Sequence, residues 1–229
     1  NAVLEAVQTT ALPKGELTEP QTAIIDKQKP MVALTFDDGP HYTVTPRILD
    51  ILQEHNARAT FFVLGNRVDN FPNIIQREYS QGHEIGSHSF SHPQITTLTS
   101  DEIEYQFAET EHRIQQYVPY TTKLVRPPYG QITQSLKEVL QKTFVLWSID
   151  TQDWKTRDKD AIVSEVLNNV KDGDIILMHD MYSTTADACE ELIPALIERG
   201  YQLVTVSELL NAKEITPVAG SVYSRVLST

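Results

Sequence analysis

Short apolar runs that do not alternate recur along this 229-residue chain, and no other feature limits its fold so tightly. They are MVALTF (31–36), ATFFVL (59–64), HEIGS (83–87), KLVR (123–126), FVLWSI (144–149), DIILM (174–178) and QLVTV (202–206). Continuous apolarity marks strands covered on both faces, as parallel strands are. Helical patterns lie between the runs. In DAIVSEVLNNV (160–170), Ile162, Val163, Val166, Leu167 and Val170 form a stripe at helix spacing, and Asp172 and Gly173 stop it. Thr45 is expected to cap the helix of TPRILDILQEH, with Pro46 in its first turn. Thr99 and Glu102 stand at capping-box spacing. Less regular helices are expected around 70–81, 131–142 and 186–199, with Pro194 kinking or shortening the last. Strand then helix, about seven times over, predicts a parallel α/β domain.

That domain is expected over 31–212. Residues 1–30 are polar, lack a period and carry Pro13, Pro20 and Pro30, which reads as an extended arm or linker; 213–229 reads as a tail. The formal net charge is −12 with no Lys/Arg cluster, which excludes nucleic acid and anionic membrane surfaces as expected partners. No run approaches the length that crosses a bilayer. Cys189 is the only cysteine, so an intramolecular disulfide is impossible and the compartment stays open. A monomer is the default expectation.

Chemically capable residues follow the strands. DDGP (37–40) follows the first, HSFSHP (88–93) the third, RPPYG (126–130) the fourth and DTQDW (150–154) the fifth, while His179 and Asp180 end the sixth. An open sheet would string these along a line, whereas a parallel barrel gathers them at one rim, so a distorted (β/α) barrel with about seven parallel strands is the expected fold. His88 and His92 are four apart, which sets both rings on one side of a helical turn or a tight loop. Two histidines and a carboxylate make a common catalytic zinc set with a position left open, and Asp38 is the natural third ligand. Adjacent carboxylates repel, but a divalent cation on Asp38 relieves that and leaves Asp37 free as a base. An Asx turn with Gly39 and Pro40 is the plain alternative, and it explains neither the histidines nor the other rim segments.

TFDDGP, HSFSHP, RPPYG, DTQDW and LMH, in this order over residues 35–179, resemble the five motifs of the polysaccharide deacetylases, carbohydrate esterase family 4 or the NodB-homology domain. The resemblance extends to about 31–212 and implies a distorted β/α barrel with seven or eight strands. It implies Asp37 as catalytic base, and Asp38, His88 and His92 as ligands of a divalent metal, zinc before cobalt. It also implies that Arg126 holds Asp37, that the Tyr129 N–H helps bind the oxyanion, and that His179 is the general acid, oriented and charged by Asp153. Leu177 and Trp154 would line the acetyl pocket. The plain alternatives are a rim salt bridge for Arg126, a core aromatic for Trp154 and a strand-end histidine for His179. His41, His55, His83 and His112 gain no role. Tyr42, Tyr182 and Trp147 are candidates for stacking on sugars, with core packing preferred for Trp147.

The activity that the resemblance implies is metal-dependent removal of N-acetyl groups from an N-acetylglucosamine polymer, with peptidoglycan preferred by analogy with bacterial envelope proteins. That places the protein outside the cell or at the wall, where a segment beyond this chain could anchor it. Acetylxylan or chitooligosaccharide deacetylation is the alternative within the class. A catalytically silent carbohydrate-binding barrel is the alternative outside it, and has no need of both a base and an acid. A phosphatase with an Asp nucleophile usually wants its second Asp two positions later, and a lysine that is missing here.

Overall fold

In the computed structural model, which describes residues 11–13 and 17–227, the apolar runs become strands of one nine-stranded sheet whose named strand pairs are all parallel. The first strand, β1 (Met31–Asp37), is buried at every position, as its unbroken apolarity requires. Its side chains nonetheless part into two sets by the two-residue strand period. Val32, Leu34 and Phe36 pack outward against helices, and Met31 and Ala33 pack inward with Phe62, Leu124, Val145 and Ile175. Thr35 and Asp37 share the inward parity and so rise from the barrel interior toward its rim.

Helix α1 (Val44–Glu54) leads to β2 (Thr60–Val63); the short α2 (Gly65–Val68) and α3 (Pro72–Ser80) lead to β3 (Glu84–Ser87). Helix α4 (Ser100–Tyr117) starts at the expected Thr99–Glu102 capping box and precedes β4 (Leu124–Val125). Then come α5 (Gln134–Leu140), β5 (Thr143–Val145), β6 (Ile149–Asp150), α6 (Asp153–Thr156), α7 (Lys159–Asn169) and β7 (Ile175–His179). Helix α8 (Ser183–Glu198), β8 (Gln202–Leu203), α9 (Val206–Ala212) and β9 (Val222–Tyr223) complete the order. The sheet runs β6-β7-β1-β2-β3-β4-β5-β9, and β8 adds to the start of β1. Val206, Leu209 and Leu210 of α9 pack into the interior cluster with Met31.

Four expectations need correction. FVLWSI is two strands at opposite parts of the sheet: Leu146 N–H still donates to Tyr223 O beside β9, and Ser148 N–H donates to Ile175 O beside β7. The chain therefore changes partners across Trp147, and that short crossing curls the sheet into its barrel. Thr45 lies inside α1, whose N-cap is Thr43, because the Thr45 hydroxyl serves Asp180 and the His41 N–H instead. Pro194 does not shorten α8, which continues past it to Glu198. Trp147 is half-buried on the cleft wall and is not a core residue.

The segment expected to be a tail supplies β9, and Val226 is buried in the interior cluster. In the expected arm, 1–10 and 14–16 lie outside the described residues. Described parts of it run over the surface: Leu12 exchanges hydrogen bonds with Gln76, and Gln21 N–H donates to Ser80 O. Among the described residues, no helix is long and apolar enough to cross a membrane.

Candidate active site

The carboxyl ends of the strands surround a cavity of about 400 Å³. Asp37, Asp38, His88, His92, Tyr129, Trp154, Leu177 and His179 all line it. Register explains the central pair: Asp37 on β1 is the direct partner of His179 on β7, and one layer deeper Thr35 is the partner of Leu177. The two strands thus set a carboxylate and an imidazole side by side, over a floor of Leu177.

Arg126 is the largest fully buried side chain, and it meets that floor from within. Its guanidinium donates to Asp37 Oδ1 at 2.7 Å, Thr35 Oγ1 at 2.8 Å, Leu146 O at 2.9 Å and Val145 O at 3.2 Å, while lying 4.2 Å from the Phe62 ring centroid. One side chain therefore satisfies carbonyls where the sheet switches partners and also clamps Asp37. Burial pushes the Asp37 carboxyl up, Arg126 and then His179 hold it down, and the net direction is upward.

Asp38, His88 and His92 each bring one ligand atom into a group spanning less than 4.8 Å. Asp38 Oδ1 lies 3.5 Å from His88 Nε2 and 3.6 Å from His92 Nε2. His88 Nδ1 is 2.7 Å from the Arg126 carbonyl, which can only accept, so that nitrogen carries the proton and Nε2 keeps its lone pair toward Asp38. Burial lowers the His88 pKa to about 3, which keeps the ring neutral. Asp38 Oδ1 is buried without a hydrogen-bond partner. A buried, unpartnered carboxylate oxygen facing two imidazoles fits a divalent cation. The histidines reach it from a loop and not from a helical turn, since His92 has φ 59°. Asp38 (φ 73°) and Tyr129 (φ 58°) share this left-handed region, at a cost to each non-glycine residue of about 1 kcal/mol or more that the surrounding packing must offset.

Opposite them, Asp153 is fully buried and accepts from the His179 N–H, the Trp154 N–H and the Thr185 hydroxyl, and its Oδ1 lies 2.7 Å from His179 Nδ1. Burial opposes charge on His179, but the bond to and charge of Asp153, then the charges of Asp37 and Asp38, raise its pKa to about 9. The imidazole is therefore protonated at neutral pH, with Nε2 left for the cleft. Trp154 is half-exposed at the mouth, which removes the core-aromatic alternative.

The motifs did not mark Asp180. It is buried beneath the Asp37–Pro40 turn, accepts from the Thr45 hydroxyl, and lies so near Gly39 that a Cβ there would come within 2.1 Å of its Oδ2. A carboxylate directly after a strand end was the available signal, the same one that singled out Asp37. Tyr182, Trp147 and Asp150 also line the cavity, and Tyr42 is an exposed aromatic.

Comparison with known proteins agrees with this geometry. A family model described as polysaccharide deacetylase matches residues 25–145. Peptidoglycan-N-acetylmuramic acid deacetylase PdaC of Bacillus subtilis is 44% identical over 203 residues, 88% of this chain and 44% of its own length. Peptidoglycan-N-acetylglucosamine deacetylase PgdA of Listeria monocytogenes is 41% identical over 187 residues, 82% of this chain and 40% of its own. The chain thus spans less than half the length of either. A family 4 acetyl xylan esterase from Clostridium thermocellum, solved with a cobalt ion, superposes with a TM-score of 0.82 at 37% identity, over 86% of this chain and 98% of that one. With the family's motif residues gathered round one cleft and its model matched over more than half the sequence, this chain belongs to the polysaccharide deacetylase family.

Proposed function

We propose that the protein hydrolyses N-acetyl groups on an N-acetylglucosamine-containing polymer, peptidoglycan before other glycans, and that it works outside the cell or at the wall. The observation that carries this reading is the pairing of Asp37 with His179 across β1 and β7, beside the Asp38, His88 and His92 group. A divalent cation held by those three residues, zinc before cobalt, would polarise the acetyl carbonyl and acidify a water. Asp37, fixed by Arg126, takes the proton of the attacking water as the new C–O bond forms. The Tyr129 backbone at the cleft edge is the expected donor to the oxyanion. His179 Nε2 gives its proton to the departing nitrogen as the C–N bond breaks, and acetate and a free amine result. Leu177 and Trp154 offer the methyl group an apolar wall.

Preference for peptidoglycan is supported by PdaC and PgdA, and the likeness to an acetyl xylan esterase supports O-deacetylation as the second reading. A silent binding barrel has no use for a charged imidazole held by a buried carboxylate. Acetate release from zinc- or cobalt-loaded protein on peptidoglycan, chitopentaose and acetylxylan in parallel is the test. Release from peptidoglycan above the others is expected. Greater release from acetylxylan would move the assignment to the esterase reading, and none from any would favour the silent barrel.

A further inference from the structure

The charge bookkeeping of the arginines points to a recognition element at the cleft mouth. Of the nine arginines in this chain, Arg47, Arg58, Arg77, Arg113, Arg126 and Arg225 pair with carboxylates. Among the described residues, Arg67, Arg157 and Arg199 do not. Arg199 is engaged elsewhere, donating to Leu167 O at the end of α7. Of the other two, Arg157 stands on the ring of Tyr182, a residue that lines the cavity. Arg157 lies flat over that ring, its guanidinium carbon 3.3 Å from the centroid, and its Nε donates to Trp154 O at 2.8 Å. Those two contacts hold the guanidinium, whose terminal nitrogens have no carboxylate partner among the described residues.

A chain of net charge −12 repels anions over most of its surface, so an arginine left without a carboxylate beside the cleft calls for an explanation. The acidic groups that face Tyr182 are committed: Asp153 is bonded to His179, and Asp38 belongs to the ligand group. Asp150, also on the cavity wall, accepts from the Gln152 N–H. Distance sets what could be read. The Tyr182 ring is 6.1 Å from the His179 ring, and Arg157 stands on Tyr182, so the guanidinium reaches the reacting sugar or its neighbour and not a remote part of the glycan.

We propose that Arg157 binds a carboxylate carried by the glycan beside the N-acetyl group that is cleaved. This deepens the deacetylase reading and rests on it. A fixed guanidinium fork matches a carboxylate in two-point geometry, which a neutral glycan cannot offer. In a wall glycan that carboxylate has two sources, the lactyl ether of a muramic residue and the stem peptide.

The test compares kcat/KM of the zinc-loaded wild type with R157Q and R157K on three substrates: peptide-bearing peptidoglycan strands, strands stripped of peptide so that the lactyl carboxylate is free, and neutral chitopentaose. The wild-type preference for an anionic strand over chitopentaose should fall about tenfold in R157Q, chiefly through KM, and by less in R157K. R157K keeps the charge without the guanidinium, so a preference that survives there and falls in R157Q separates charge recognition from a shift of Trp154. The strand that suffers the larger fall names the source of the carboxylate. Equal losses on all three substrates, or a preference unchanged in both variants, would overturn this proposal alone. No acetate from any substrate by the wild type would overturn the deacetylase reading and this proposal with it.

Discussion

Replacing Arg126 by methionine removes the cation hydrogen-bonded to Asp37 inside the barrel while keeping an apolar body against Phe62. Asp37 then keeps only the charge of the neighbouring His179 and no bonded cation, and loss of one partner of such a buried pair costs about 3–5 kcal/mol. The carboxyl can escape by protonating. Doing so at pH 7 from an ordinary pKa of about 3.9 costs about 4 kcal/mol, which caps the charge part of the loss. Val145 O and Leu146 O also lose a charged donor, at about 1–2 kcal/mol for the two together. Urea unfolding in EDTA should therefore show R126M destabilised by about 4–6 kcal/mol at pH 7, against a total stability of about 5–15 kcal/mol. The pH dependence separates the two parts. A carboxyl raised by burial binds its proton in the folded variant before the unfolded chain does, so its cost vanishes as pH falls toward about 4, where the unfolded chain is protonated too. Only the carbonyl part, about 1–2 kcal/mol, should remain there. A loss below about 1 kcal/mol at pH 7, or one equal at both pH values, would refute the idea that Arg126 is the counter-charge of Asp37.

The acid limb of the chemistry offers a second check. His179 works as the protonated form, so activity is present below its pKa and lost as pH rises through about 9. A cation on Asp38 offsets that carboxylate's share and brings the limb somewhat below 9, in wild type and variant alike. D153N removes the main support of the charge against burial, so the alkaline limb of kcat/KM should move acidward by one unit or more; an unmoved limb would show that Asp153 does not set it. The Asp180 support under the DDGP turn gives a third. In G39A the new Cβ would meet Asp180 Oδ2 at 2.1 Å, and relieving that clash must shift the turn carrying Asp37 and Asp38. Loss of about 1–3 kcal/mol in stability, read by urea melts, is expected together with a larger drop in acetate release. Wild-type activity in G39A would mean that the turn does not depend on Asp180.

Much of this was legible in the sequence because each strand ends where its chemistry begins. Asp37 caps an unbroken apolar run, and parallel topology alone brings it beside His179, which caps another. The break in FVLWSI was hidden for a physical reason: an apolar residue is buried equally well whether its strand keeps one partner or changes to another, so the pattern stays continuous while the sheet turns. Thr45 misled because a threonine before Pro46 has the composition of a cap, and only the fold shows Asp180 waiting beneath it. Residues 222–226 carried too few apolar positions to read as a strand, although β9 needs only to lie beside β5. Arg157 was invisible in kind, since an arginine without a carboxylate partner is defined by contacts distant in the chain.

The division of labour between Asp37 and Asp38 is the centre of the account, and the most direct measurement takes metal content and acetate release together on wild type, D37N and H88A. D37N should hold zinc at the wild-type ratio and release no acetate, because it keeps all three ligand residues and loses the base. H88A should lose both, because its ring supplies a ligand atom. Metal lost from D37N, or kept in H88A, would contradict the assignment of Asp38, His88 and His92 as the metal site with Asp37 outside it.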